Sequence, residues 1–251
     1  MAGTIRFYRK SATIEAMSGH SKWSTIKHKK EATDHKRGQI FTKLVRAITV
    51  AARDGGPDIN SNFKLRLAVE KAHQVNMPRV NIDRAIEKGT GAGSLGFMEA
   101  VYEGFGPGNT AVIVEVLTDN KNRAVSELKK IFEMAGGSLG QPGSVAFLFD
   151  KKGRLVVEKK PAVDEQMLKL IDLGVEDVVE TETGIAVLTP ANHLDEVKSK
   201  VEAIGFLVKE AGLVYLAKNS LDLDQAIREK AENFLESLDD LDDVQEVYSN
   251  L

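Results

Sequence analysis

The 251-residue chain is 42% apolar, carries a formal charge of −3 and contains no cysteine. This composition suits a protein that buries a real core, and the missing thiols exclude disulfides, thiolate zinc sites, iron–sulfur clusters and a cysteine nucleophile. It fits a reducing cytoplasm, the compartment expected here; no apolar run approaches the roughly 18 residues of a membrane span, so no membrane partner is expected.

Charge is divided unevenly. Residues 1–90 hold 18 Lys and Arg against 8 Asp and Glu, a balance of +10, and residues 91–251 hold 16 against 29, a balance of −13. A basic front and an acidic rear can orient a chain on a polyanion, basic end inward. The first residues, with Arg6, Arg9, Lys10 and a single acid, Glu15, differ in character from the rest of the chain, and Met17 opens the sequence MSGHSKW, which reads like a natural start. They lack the apolar core of a secretory signal.

From Gly19 to Lys43 the chain reads GHSKWSTIKHKKEATDHKRGQIFTK. Lys22, Lys27, Lys29, Lys30, Lys36, Arg37 and Lys43 crowd this window against Glu31 and Asp34, with His28 among them and the only tryptophan, Trp23, beside Lys22. Most charge runs are solvated surface. Here the density, and an aromatic placed to stack on a base or sugar, favour nucleic acid as the partner.

Between Lys36 and Arg53 helical spacing puts Lys43, Arg46 and Arg53 within about 100° of Lys36. Ile40, Phe41, Leu44, Val45 and Ile48 take the other side, and Arg37 falls in the apolar sector. A basic face nearly opposite a core face is therefore expected, ended by Gly55-Gly56-Pro57. A second helix is expected from Asn62 or Phe63 to Val75, with Asn62 as cap. A third follows Asn76-Met77-Pro78, carries Ile82, Ala85 and Ile86, and stops at Gly89. Its Arg79, Asn81, Asp83 and Arg84 are the best candidates for base readout. Gly91–Gly96 matches GxGxxG but lies between a helix and a strand, the reverse of the dinucleotide fingerprint, so a hinge is the reading adopted.

Strands and helices then alternate. Strands are expected at Ala100–Phe105, Ala111–Leu117, Val145–Phe149 and Arg154–Val157 (around a Lys152-Gly153 turn), one or two over Val178–Leu188, then Leu213–Ala217 and Val244–Tyr248. Helices are expected at Arg123–Ala135, Met167–Leu173, Leu194–Ile204 and Leu223–Leu238. Val116-Leu117-Thr118 leads through a helix to Gly136, as Ala186–Thr189 leads to Gly205. This weak repeat suggests two α+β modules with helices on one face of each sheet. The last helix and strand could complete either.

Catalytic chemistry is sparse. There is no Walker loop, HExxH pattern or GxSxG elbow, and no cofactor or metal is expected. The glycine-rich Glu103–Asn109 could approach a ligand closely, but a tight loop between strands is, by a small margin, the reading adopted. Asp239-Asp240 and Asp242-Asp243 lack the spacing of a calcium loop and read as a solvated helix end.

Several motifs carry a family resemblance. GHSKW, IKHKK, KRGQIFTKL, AARDGGPD, LRLA, NMPRVNIDRAIEKGTG, YEGFGPGNTAVIVEVLTDNKNR, AGGSLGQPGSVAF and DLDDVQEVYSN occur in order from Met17 to Leu251. Together they resemble the YebC family. Departures are small, such as Phe63-Lys64 where Pro-Arg is common and Val80 where an acid is common. The resemblance implies a non-enzymatic, three-domain α+β protein: a small helical bundle at 17–92, then two ferredoxin-like α+β modules, one discontinuous at 93–153 plus 214–251 and one inserted at 154–213. Residues 1–16 are expected to be a disordered extension.

Bacterial members of the family are described as transcriptional regulators that bind promoter DNA. Relatives activate mitochondrial translation or act on ribosomes stalled at proline-rich sequences. The expected partner is thus nucleic acid, either DNA or ribosomal or transfer RNA, with the ribosome as a further candidate. The expected contact residues are Lys22, Trp23, Lys27, His28, Lys29, Lys30, Lys36, Arg37, Lys43, Arg46 and Arg53.

Overall fold

The computed structural model describes residues 34–91 and 96–251. Three helices open it: α1 (Asp34–Gly55), α2 (Phe63–Gln74) and α3 (Arg79–Thr90). Ile48, Ala51 and Ala52 of α1 meet Leu65, Ala68, Val69 and Ala72 of α2 and Ile82 and Ala85 of α3 in one core, as the helical spacing requires. Asn62 caps α2 by accepting from the Leu65 N–H at 3.0 Å. Its amide also donates to the carbonyls of Ala51 (2.7 Å) and Gly56 (2.8 Å), so one side chain fixes the α1–α2 corner.

Gly89 does not end α3, which continues to Thr90. It is buried where α3 crosses α1, and a Cβ there would lie 2.3 Å from the Thr49 carbonyl oxygen and 2.8 Å from the Ala52 Cβ. The glycine is needed for close backbone approach rather than for a left-handed stop. Gly89→Ala is therefore expected to cost about 2 kcal/mol by overpacking. Helix propensity alone predicts a gain of about 1 kcal/mol, so the sign of the shift in urea midpoint separates the two readings.

The first sheet is built by β1 (Met98–Phe105), β2 (Ala111–Thr118), β3 (Ser138–Leu139) and β8 (Val244–Ser249), in the order β3-β1-β2-β8. Helices α4 (Lys121–Met134) and α7 (Gln225–Asp239) cover it, with Leu128, Phe132, Phe234, Leu235 and Leu238 packed on Val112, Val114 and Val116. The second sheet holds β4 (Phe149–Val157), β5 (Asp177–Glu180), β6 (Ile185–Pro190) and β7 (Val208–Ala217), in the order β5-β6-β4-β7. Its helices are α5 (Val163–Ile171) and α6 (Leu194–Ala203). All neighbouring strands are antiparallel. Strand β6 lies between β4 and β5, and β1 between β2 and β3, so each sheet contains the split β-α-β unit of ferredoxin-like folds.

The chain leaves the first sheet after β3, builds the second, and returns with α7 and β8. The boundaries expected at 153/154 and 213/214 fall inside β4 and β7. The expected Lys152-Gly153 turn is absent: β4 is continuous, Gly153 pairs with Thr189 on one side and Leu213 on the other, and Thr189 and Leu194 occupy the space a side chain would need. Residues 146–148 form a short 3₁₀ turn instead of the expected strand. Between the sheets, Ala111, Ile113, Val145, Phe149 and Tyr248 pack on Val214, Tyr215 and Ala217.

Candidate nucleic-acid interface

Of the expected contact residues, Lys22, Trp23, Lys27, His28, Lys29 and Lys30 lie outside the described residues. The other five stand on α1, and four of them turn inward. Lys36 Nζ lies 3.3 Å from Glu236 Oε1 and 3.9 Å from Asp240 Oδ1. Lys43 Nζ is 3.3 Å from Asp239 Oδ1 and also donates to the Asp239 carbonyl. Arg46 Nη1 is 2.8 Å from Asp243 Oδ1 and also donates to the Asp242 carbonyl. Arg53 pairs with Asp54 at 2.8 Å and donates to the Phe97 carbonyl. Arg37 is exposed, with its guanidinium 5.7 Å from the Phe41 ring centroid.

The basic face of α1 is real, but much of it is covered by the end of α7. Two forces seat it there. The last carbonyls of a helix lack intrahelical partners and carry partial negative charge. In α7 those carbonyls take Lys43 and Gln39, while the flanking carboxylates take the cations. Of the acidic pairs, Asp239 and Asp243 are therefore not a solvated helix end, whereas Asp240 and Asp242 remain exposed. Asp243 is buried at 4% exposure and accepts from Arg46 (2.8 Å), Arg123 (2.7 Å) and Thr118 (2.7 Å). Burial would raise its pKa, but hydrogen bonds from Arg123 and Thr118 and the charge of Arg46 hold its carboxyl below the ordinary 3.8. Arg123 is raised in turn, mainly by its hydrogen bond to Asp243.

Helix α2 is committed in the same way. Buried Lys198 of α6 reaches Glu70 at 2.7 Å, Arg66 reaches Asp195 at 2.7 Å, and Lys71 reaches Glu246 at 3.2 Å. Phe63 and Leu67 pack against the second module's core. Part of the contrast between basic front and acidic rear is thus complementarity between domains of one chain. Cations at 36, 43 and 46, on one stripe of α1, meet acids at 236, 239, 240 and 243, which run from the last turn of α7 into the turn before β8. The helical spacing shared by the two sets was the signal available in the sequence.

Helix α3 points outward. Arg79 is 86% exposed in its side chain and 3.7 Å from Asp83, and Arg84 and Lys88 are exposed beside a 57%-exposed Val80. Lys88 Nζ sits 5.5 Å from the Phe97 ring centroid, and the Arg46 guanidinium 5.7 Å from the same ring. Phe97 belongs to no sequence motif of the site, yet just before β1 its ring and carbonyl meet three cations of the bundle. With Phe41, Thr42, Val45, Arg46 and Lys88 it lines a shallow groove of about 270 Å³.

The glycine-rich Glu103–Asn109 segment is filled by the chain itself. Gly104 lies against Phe132, Gly106 against Phe234, and Gly108, at φ 66°, against Leu223 and Ile227. Among the described residues no three His, Cys, Asp or Glu gather as metal ligands, and no helix is long and apolar enough to cross a membrane.

Comparison with known proteins covers nearly the whole chain. Residues 21–92 match the TACO1/YebC protein N-terminal domain, and residues 97–251 match the TACO1/YebC second and third domain. A "Probable transcriptional regulatory protein" of Thermoanaerobacter pseudethanolicus is 48% identical over 238 residues, 94% of this chain and 97% of that protein. One from Thermotoga maritima is 47% identical over 237 residues, 93% of each. The crystal structure of a conserved hypothetical protein from Aquifex aeolicus superposes with a TM-score of 0.83 at 40% identity, covering 91% of this chain and 96% of that one.

Proposed function

Since this chain belongs to the TACO1/YebC family, we propose that it is a non-enzymatic, cytoplasmic, nucleic-acid-binding regulator of gene expression that docks on duplex DNA through its helical bundle. The observation that carries this reading is the set of exposed cations on α3. Arg79, Arg84 and Lys88 stand exposed around the solvent side of this helix, among exposed Asp83 and Glu87, while cations of α1 and α2 are engaged by the acidic modules. Arg37 is exposed near the start of α1, and the sequence that precedes this helix carries the dense run Lys22–Lys30. Relatives named as probable transcriptional regulatory proteins support the regulatory role. Phosphate contacts would supply most of the affinity; Arg79, Asn81 and Arg84 are the side chains suited to base edges.

The test is fluorescence anisotropy of the full chain on labelled duplex DNA, against the Arg79→Glu/Arg84→Glu/Lys88→Glu variant. Affinity should fall by about tenfold or more, and the slope of log K against log salt should flatten by about 0.9 for each lost phosphate contact. An unchanged slope removes α3 from the interface.

One observation favours RNA as the second reading. Trp23 is flanked by Lys22 and followed by Lys27, Lys29 and Lys30, the composition of a platform that stacks unpaired bases. On that reading the protein is a translation factor at the ribosome, and ribosome profiling of a deletion strain should show pauses at particular codons.

A further inference from the structure

We propose that the segment Glu236–Asp243 is an intramolecular stand-in for a phosphate backbone, a latch that covers cations of α1 and yields at its exposed end when nucleic acid competes for them. The proposal rests on the nucleic-acid reading above and adds a gate to it.

The chemistry of the latch resembles that of its competitor. Lys36, Lys43 and Arg46 are met by carboxylate oxygens and by main-chain carbonyls of Asp239 and Asp242. These are acceptors only, as are the non-bridging oxygens of a phosphodiester. Seven residues separate Lys36 from Lys43, about 10.5 Å along the helix axis, or about three base steps of a duplex. One face of α1 can therefore meet either a run of helix-end acids or a run of phosphates.

The contact is graded along its length. At the open end Lys36 is 39% exposed and its partners Glu236 and Asp240 are 33% and 50% exposed. In the middle Lys43 and Asp239 are 13% and 15% exposed. At the far end Arg46, at 17%, is no more buried than Lys43, but its carboxylate partner Asp243 falls to 5% and is fixed again by Thr118 and Arg123. Water screens the first pair strongly and the last one little. Competition by a polyanion should therefore begin at Lys36, beside exposed Arg37, and stop short of Arg46. Lysine suits the exchanged positions, because it binds as a mobile point charge, and arginine suits the fixed one.

The test compares wild type, the latch variant Glu236→Gln/Asp239→Asn/Asp240→Asn, and a control with the same loss of charge elsewhere, Asp164→Asn/Glu165→Gln/Asp172→Asn. Each full chain is titrated by anisotropy with a mixed-sequence DNA duplex and with a single-stranded RNA, both of roughly 20 nucleotides per strand. The latch variant should bind about tenfold tighter than the control, with a salt slope on duplex steeper by about 1.8 for two added phosphate contacts. Asp240→Asn alone, an exposed substitution that leaves the fold intact, should tighten binding about two- to threefold. If wild type binds and neither latch variant outdoes the control, the latch is overturned and the nucleic-acid reading stands. If no protein binds either probe, the nucleic-acid reading fails and the latch falls with it.

Discussion

Asp243→Ala is expected to lower stability by about 3 kcal/mol or more, the range for breaking a buried ion pair by removing one partner. This carboxylate joins three parts of the fold: Arg46 from the bundle, Thr118 at the end of β2, and Arg123 in the first turn of α4. Removing it leaves the Thr118 hydroxyl without that acceptor and the Arg46 guanidinium without its carboxylate, held by the Asp242 carbonyl and the Phe97 ring. Asp243→Asn keeps the shape and loses the charge, so its cost should be smaller. The pH dependence comes from the sign of the shift. Because the folded carboxyl is held below 3.8, its contribution is present above that value and is lost as pH falls through the folded pKa. Urea midpoints followed by circular dichroism at pH 7 and at pH 3 to 4 should show wild type losing stability on acidification and Asp243→Asn losing less.

Glu103→Ala should cost a similar amount, about 3 kcal/mol, for a different reason. Its buried carboxylate accepts from the backbone N–H groups of Gly143 (2.7 Å), Val145 (2.8 Å) and Ala146 (2.7 Å), and its own carbonyl accepts from Gly140 N–H at 2.7 Å. One side chain on β1 thus holds the loop through which the chain crosses from the first sheet to the second. Val145 then packs between the sheets. Losing the carboxylate leaves three donors without that partner, and only the exposed loop tip, Gln141 to Gly143, rehydrates easily. Burial raises the Glu103 pKa, but the three backbone donors outweigh it and hold the carboxyl below the ordinary 4.5. This support is accordingly lost as pH drops below that range. Hydrogen exchange at Val145 and Ala146 should quicken in the variant while exchange in α1 stays unchanged. Equal quickening everywhere would place the effect in global stability rather than in the crossing.

How much of the fold is legible in the sequence depends on how local each signal is. The helical spacing of Ile48, Ala51 and Ala52, and the cap at Asn62, depend on near neighbours, and α1 and α2 lie where that spacing puts them. Lys152-Gly153 looks like a turn for the same local reason. It is not one, because its geometry is set by Thr189 and Leu213, each many residues away. Gly89 has the composition of a helix stop, and its requirement comes instead from Thr49 across the bundle.

The candidate site obeys the same rule. The basic stripe of α1 is readable from periodicity, but its occupant sits about 200 residues further on. A one-sequence reading weighs a cationic face against solvent or a partner molecule and has no local cue for an acidic segment of the same chain. Phe97 escapes such a reading because a single aromatic beside a glycine-rich run carries no periodicity. Its role appears only once Arg46 and Lys88 are seen on its ring.

The measurement that bears most directly on the proposed function is crosslinking of the full chain to nucleic acid in cells, with sequencing of the retained fragments. The chain should retain specific fragments well above a mock purification, and Lys27→Glu/Lys29→Glu/Lys30→Glu should abolish that recovery. Promoter DNA in the retained fraction supports the duplex reading, and ribosomal or transfer RNA the second one. Recovery no greater than the mock, or equal recovery with the charge-reversed chain, contradicts nucleic-acid binding through the basic front of the molecule.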